Sequence, residues 1–221
     1  IGPQLSVDGS KGLQFGETSI YVSTTPGYYD VRIVPAGAIS CATNAIATDS
    51  SIGYFAQDAY QTLVLAGDAT TAGSDPSIDV IRLTDSLSVT GYAKFRFVHV
   101  SPGLPSLDLG FGSLDDSDFK ALFSSVAYGA TGMSSSYGTV DANGYLTTSA
   151  WSDQTLSLHT SVGATSDSLT AEYVDLEAGS LASFWAIGGK TGDTQHPLSL
   201  VRCLDNGTVS GYLAPCQVIS E

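Results

Sequence analysis

Basic residues are scarce in this chain: eight Lys plus Arg stand against 22 Asp plus Glu in 221 residues, a formal net charge of −14. A surface of that sign repels phosphate backbones and anionic headgroups, so no nucleic-acid partner is expected. No apolar run reaches the length of a membrane-spanning helix, and no membrane insertion is expected. The chain opens at "IGPQLSVDG" without a basic, apolar leader, so any export signal is expected to have been removed already or never to have been there. Only three histidines occur, His99, His159 and His196, in different strands or turns. None sits in a Gly-x-Ser-x-Gly or His-Glu-x-x-His setting, so no catalytic residues and no enzyme activity are expected. His99 reads as a strand-end histidine held by backbone partners, and His196, before Pro197, as solvated.

Three cysteines are present, Cys41, Cys203 and Cys216. The last two flank "LDNGTVSGYLAP", whose Asn-Gly turn lets the ends approach as a disulfide requires. Their spacing, without nearby histidines, matches no zinc pattern. Cys41 is left over, either as a buried thiol or as a link to another chain.

What the chain has in quantity is strand signal. Charged residues are only 14% of it, whereas 24 glycines separate short alternating segments: "DVRIV", "TLVLAG", "DVIRL", "KFRFVHV", "TLSLHTSV", "LASFWAIGG" and "LSLVRCL". Such segments, bounded by Gly, Pro, Asn and Asp, predict an all-β sandwich. The segments also repeat as a set. "YQTLVLAGD" before "IDVIRLTDSLSVTGY" matches "LASFWAIGG" before "LSLVRCLDNGTVSGY", with Gly67 on Gly188, Arg82 on Arg202 and Asp85 on Asp205. Upstream, "GPQLSVDG" corresponds to "LPSLDLGFG", "LQFGETSIY" to "VAYGATGMS" and "VRIVPAG" to "LSLHTSVG". The second copy is longer around "SSSYGTVDANGYLTTSAW", where "DANG" predicts a tight turn between two added strands.

"FRFVHVSPGLPSLDL" and its Gly-turn, with "VRIVPAG" and "AIGG", resembles the bacterial repeat known as domain of unknown function 4397, whose hallmark is Val-Arg-Val-Val-His-Ala-Ser-Pro-Asp-Ala-Pro followed by an alternating strand. Val98-His99-x-Ser101-Pro102-x-x-Pro105 is kept; Val100 replaces the usual Ala and Gly103 the usual Asp. The resemblance implies a secreted or surface-anchored immunoglobulin-like sandwich, usually in tandem, and no known catalytic activity.

The expected organisation is therefore two tandem immunoglobulin-like β-sandwich domains: residues 1–90, and residues 91–221 with an inserted hairpin and a strand-like C-terminal tail. Copy two owns the strand "AKFRFVHVSP", whereas copy one begins opposite Gly103-Leu104-Pro105 and is expected to lack its first strand. A missing strand leaves unpaired backbone groups beside an uncovered core. Donor-strand complementation by a neighbouring subunit would fill the gap and generate a filament of identical subunits. The residues expected to take part are Ile1, Gly2, Pro3, Leu5 and Val7 at the receiving end, with Leu213, Val218 and Ile219 donated. Against donation, Pro215 removes a ladder donor.

Asp115, Asp116 and Asp118 in "GSLDDSDFKALF" form the one tight carboxylate group. Calcium, which takes oxygen ligands, is the weaker reading, and no cofactor is expected. The stronger reading is the N-cap of a helical turn. The aromatics, among them Tyr28, Tyr29, Tyr54, Tyr60, Tyr137, Tyr145, Trp151 and Trp185, suit cross-strand packing better than a carbohydrate platform. The expected function is thus a non-enzymatic extracellular or cell-surface structural protein, a subunit of a fibre or matrix; the alternative is a monomeric adhesin or carbohydrate-binding module.

Overall fold

A computed structural model describes residues 12–19, 21–36, 38, 40, 46–49, 53–67, 78–113, 119–160, 168–189, 195–206 and 216–220. These residues form strands and turns with no helix, as the alternating segments predict. They divide into two compact units, the first running to residue 86 and the second comprising residues 87–206 and 216–220.

In the first unit the strands are β1 (Gly27–Tyr28), β2 (Val31–Ile33), β3 (Ala47–Asp49), β4 (Tyr54–Phe55), β5 (Tyr60–Ala66) and β6 (Asp79–Asp85). They associate as three antiparallel pairs, β1 with β4, β2 with β3 and β5 with β6.

The second unit contains β7 (Ala93–His99), β8 (Leu107–Phe111), β9 (Lys120–Val126), β10 (Leu146–Thr148), β11 (Trp151–Thr160), β12 (Ser168–Leu176), β13 (Leu181–Ile187), β14 (Ser199–Leu204) and β15 (Cys216–Val218). One sheet has the order β10-β7-β13-β14-β15 and the other β12-β11-β8-β9. Alternation aims Phe95 and Phe97 of β7, Phe184 of β13 and Leu200 of β14 at Leu109, Phe123, Leu156 and Leu158 of the facing sheet, and these pack into one apolar core. Each fully buried Leu or Phe contributes roughly 1.5–3 kcal/mol.

The pairing explains the repeat in physical terms. Val31 and Ile33 pair with Asp49 and Ala47 as Leu156 and Leu158 pair with Ala171 and Leu169. Gly27 opposes Phe55 as Trp151 opposes Leu176. Broken pairs β1–β4 and β2–β3 are therefore the first-unit form of the continuous hairpin β11–β12, and β5–β6 is the form of β13–β14.

Two expectations change. "DSDFKALF" predicts a helical turn capped by its aspartates, yet Lys120–Phe123 lies in β9, antiparallel to β8. A register shift in that pairing lets the consecutive Leu122 and Phe123 both reach the core, an irregularity that blurs the two-residue period. The "DANG" turn forms, with Asp141 Oδ1 accepting the amides of Asn143 and Tyr145 at 2.9 and 3.0 Å. Only Val140 bridges Leu146 on its far side, however, and β10 pairs with β7.

Candidate functional site

Strand β7 is an interior strand of the second unit's five-stranded sheet. It lies between β10, antiparallel, and β13, parallel, and both of its faces are buried. Ala93, Phe95, Phe97 and His99 alternate with Lys94, Arg96 and Val98, as the pleat demands.

Arg96 is fully buried. Its Nε donates to Ser183 Oγ at 2.8 Å, across the parallel register that sets Ser183 beside it. The guanidinium lies 4.7 Å from the Tyr145 ring centroid and 5.7 Å from that of Trp185. Ser183 Oγ in turn donates to Asp205 Oδ2 at 2.7 Å, and Tyr145 OH donates to the same oxygen at 2.8 Å. A buried cation is tolerated where planar stacking and hydrogen bonds replace its water, and arginine is the residue suited to both.

His99 closes the end of β7. Nδ1 accepts the Ser101 amide at 3.3 Å, and Nε2 lies 3.1 Å from the Pro105 carbonyl, so the tautomer carrying its proton on Nε2 satisfies both. The Ser101 hydroxyl donates to the Gly188 carbonyl. Pro102 and Gly103 follow in a turn with Gly103 at φ 76°, a left-handed value that glycine adopts without steric cost. Gly188, at φ 88°, has no substitute, because an added Cβ would stand 2.1 Å from the Pro197 carbonyl oxygen. The Val-His-x-Ser-Pro-x-x-Pro segment is thus a hydrogen-bonded clasp in which His99 meets backbone partners, as expected.

Burial pushes the His99 imidazole below its ordinary value of 6.5, outweighing the opposite effect of the Pro105 and Leu104 carbonyls. A lowered folded value means the unfolded chain binds more protons at acid pH, so the stabilisation is complete above 6.5 and is lost as pH falls through the folded value. The wild-type melting temperature is expected to drop more steeply from pH 7 to pH 5 than that of His99→Gln, which keeps one acceptor and one donor without the titration. Parallel slopes in the two proteins would remove His99 from the account.

The first unit holds a counterpart of the arginine cluster. Asp85 Oδ2 accepts Thr62 Oγ1 at 2.7 Å and Tyr21 OH at 2.9 Å, reproducing Asp205 with Ser183 and Tyr145. This pins the longer copy's extra residues between Gly132 and Tyr145. The Phe15-Gly16 and Tyr128-Gly129 turns match on one side, and Tyr21 matches Tyr145 on the other. Strand β10 is therefore not an addition but the counterpart of Val22–Thr24. The Tyr–Ser/Thr–Asp constellation escaped the sequence reading, although Asp85 and Asp205 had been aligned; their partners lie on distant strands.

The two units differ at one edge. In the second, β13 pairs with β14 on one side and β7 on the other. In the first, among the described residues, β5 pairs only with β6. Tyr60 is 45% exposed and Leu65 48%, whereas their counterparts Leu181 and Ala186 are at 0%.

The expected Cys203–Cys216 disulfide is formed, at facing positions of β14 and β15. It closes a sequence separation of 13 residues. Reduction, or Cys203→Ser, is expected to cost about 3 kcal/mol and to release β15, read as loss of amide protection at Cys216–Val218. Unchanged protection would show that the Ile219 and Ser220 contacts to Leu200 hold the strand alone.

Of the assembly residues, Val218 is exposed on β15, and Ile219 packs against the core of its own unit. Both are thus engaged by the chain's own sheet, and the donor role is not carried over to them. Ile1, Gly2, Pro3, Leu5, Val7 and Leu213 lie outside the described residues, as do Cys41 and the calcium candidates Asp115, Asp116 and Asp118. Among the described residues no three metal-binding side chains gather.

Comparison with known families adds one match, beginning in the first unit and running through β7 into β8. It is to a family described as Domain of unknown function (DUF4397), over residues 5–110. The DUF4397 span takes in Tyr21, Thr62 and Asp85 together with Arg96 and His99, so the aspartate cluster of the first unit and strand β7 both fall inside it. No curated protein matches the chain.

Proposed function

We propose that this DUF4397-like protein is a non-enzymatic structural subunit of an extracellular or cell-surface fibre or matrix, joined to its neighbours by strand addition at the edge of β5 that no described strand covers. The observation that carries the reading is the contrast between β5 and β13: two versions of one strand, the second enclosed by β7, the first exposing Tyr60 and Leu65 along an edge that no described strand covers. An unpaired edge beside apolar side chains invites another strand, and a head-to-tail exchange that does not close on itself propagates as a filament. A disulfide supports an oxidising compartment. His99 has both ring nitrogens engaged with the backbone, which favours a structural role for the one fully buried histidine.

Negative-stain microscopy of the native protein, with light scattering over a concentration series, tests the reading. Filaments that Leu65→Lys abolishes are expected; monomers at all concentrations would overturn it. The alternative, a monomeric adhesin or carbohydrate-binding module, draws on Tyr28 and Tyr54, exposed neighbours whose rings meet edge-to-face at 5.3 Å on β1 and β4. A glycan array on which Tyr28→Ala removes a specific signal would favour it.

A further inference from the structure

The hairpin β11–β12 departs from the regular pleat where β11 begins, and the departure builds a surface. We infer that the groove lined by Trp151, Ser152, Gln154, Leu176 and Glu177 is a binding site for a neutral saccharide, one pyranose ring stacking on the Trp151 indole and its hydroxyls bonding to Gln154 and Glu177. The inference goes beyond the fibre reading and does not rest on it, since every residue it uses belongs to the second unit.

In an unbroken strand Trp151 and Gln154, three residues apart, would point to opposite faces. Here Trp151 pairs with Leu176 and Gln154 with Val174, so β11 carries one extra residue between them and both side chains emerge on the face of Leu176 and Val174. The extra residue is Asp153, at φ 52°, whose amide donates to Asp175 Oδ1 at 2.8 Å. Tyr173, at φ 56° on β12, is the compensating one, and beyond it Leu156 faces Ala171 in the register that Trp151 and Leu176 began. Without the two bulges Gln154 would stand opposite Tyr173 on the outer face, and the rest of the hairpin would be unchanged. Two non-glycine residues thus take up the costly left-handed conformation, and the outcome is one re-aimed side chain, Gln154 beside Trp151.

The groove has a volume of about 610 Å³, the size of a small-molecule site. Phe95 and Phe111, nearly perpendicular to the indole at 4.9 and 5.2 Å, hold Trp151 in place before any ligand arrives. Packing on those rings and lining the groove are two roles of one half-buried side chain. A pyranose offers an apolar C–H face to such a ring and a rim of hydroxyls that need both donors and acceptors. The Gln154 carboxamide supplies both, and its orientation is fixed by the bond from Nε2 to the Ser152 carbonyl at 3.0 Å. The Glu177 carboxylate adds acceptors for hydroxyls, and in a chain of net charge −14 it repels acidic sugars, which makes the fitting class neutral.

The test uses the full-length protein with fluorotryptophan at its two tryptophans. The probes are hexasaccharides of glucose, mannose, galactose and N-acetylglucosamine, with a galacturonate hexamer as the acidic one. At least one neutral hexamer is expected to shift the Trp151 fluorine resonance while that of Trp185 stays in place. Gln154→Ala is expected to weaken this binding by about tenfold or more at an unchanged melting temperature. Glu177→Gln, at an exposed position, is expected to keep the neutral hexamer and to admit the galacturonate, an arm that stands whatever Gln154→Ala does to stability. A Trp151 resonance that no neutral hexamer moves overturns the inference, as does a wild-type preference for the galacturonate. Binding that Tyr28→Ala removes and Gln154→Ala leaves intact places the saccharide in the first unit and likewise overturns it.

Discussion

Replacing Arg96 with Ala is expected to destabilise the second unit by about 3–5 kcal/mol, the range found when one member of a buried charged cluster is removed. For a unit of this size that corresponds to a melting temperature lower by about 10 °C or more. Three losses combine. The side chain leaves a cavity between Tyr145 and Trp185; both cation–π contacts vanish; and the Nε bond to Ser183 is gone. Arg96→Met refills most of the volume, and Asp205 keeps its Tyr145 and Ser183 donors, so its cost is expected to be half or less. Arg96→Lys is expected to fall nearer to Ala, because an ammonium offers neither the planar stacking nor the Nε geometry. The half-exposed pair Lys94–Asp141, at 3.8 Å, supplies the contrast: Lys94→Met should cost under about 1 kcal/mol. Calorimetric melts of the four variants decide the matter, and an Ala variant within about 1 kcal/mol of wild type would show that the cluster is not structural.

Phe95→Ala is expected to be at least as damaging, about 4–5 kcal/mol, at the upper end of large-to-small core changes. Phe95 is where the two sheets of the second unit meet. Its ring makes edge-to-face contacts with Phe123 of β9 at 5.5 Å, Trp151 of β11 at 4.9 Å and Phe184 of β13 at 5.6 Å. Each such contact adds about 0.5–1.5 kcal/mol to the burial itself. Rings held from three sides cannot collapse into the vacated space, which keeps the cavity cost high. Phe95→Leu should cost about 1–2 kcal/mol. Phe111, half-buried at the core margin, is the control, and its Ala variant should be markedly milder. Equal losses at the two positions, measured by denaturant titration, would contradict the central place given to Phe95.

Legibility followed the range of the interactions. Alternation made the all-β class and the strand segments readable, because a strand's two faces are a local property of the pleat. The repeat was readable for the same reason: Gly67 and Gly188 both carry positive φ, and Arg82 and Arg202 each reach a backbone carbonyl, of Tyr54 and of Asp175, in corresponding places. The disulfide followed from a turn between two cysteines. The β9 segment misled because a shift in register places two adjacent residues inward, and only the neighbouring strand dictates such a shift.

Arg96 shows the limit most clearly. In a chain with eight basic residues, alternation by itself assigns an arginine between two phenylalanines to the polar side of a half-exposed strand. Its burial depends on Tyr145, Ser183, Trp185 and Asp205, up to about a hundred residues away, and on a parallel pairing that no local pattern encodes. The sequence by itself determined that this protein is an acidic, all-β, internally repeated chain with a DUF4397-like clasp, since those properties reside in composition and short-range alternation. Only the tertiary structure decided that Arg96 is buried, that Asp85 and Asp205 head the same three-residue cluster, and that β5 lacks among the described strands the neighbour that β13 has, because each is a relation between strands that the chain joins only by folding.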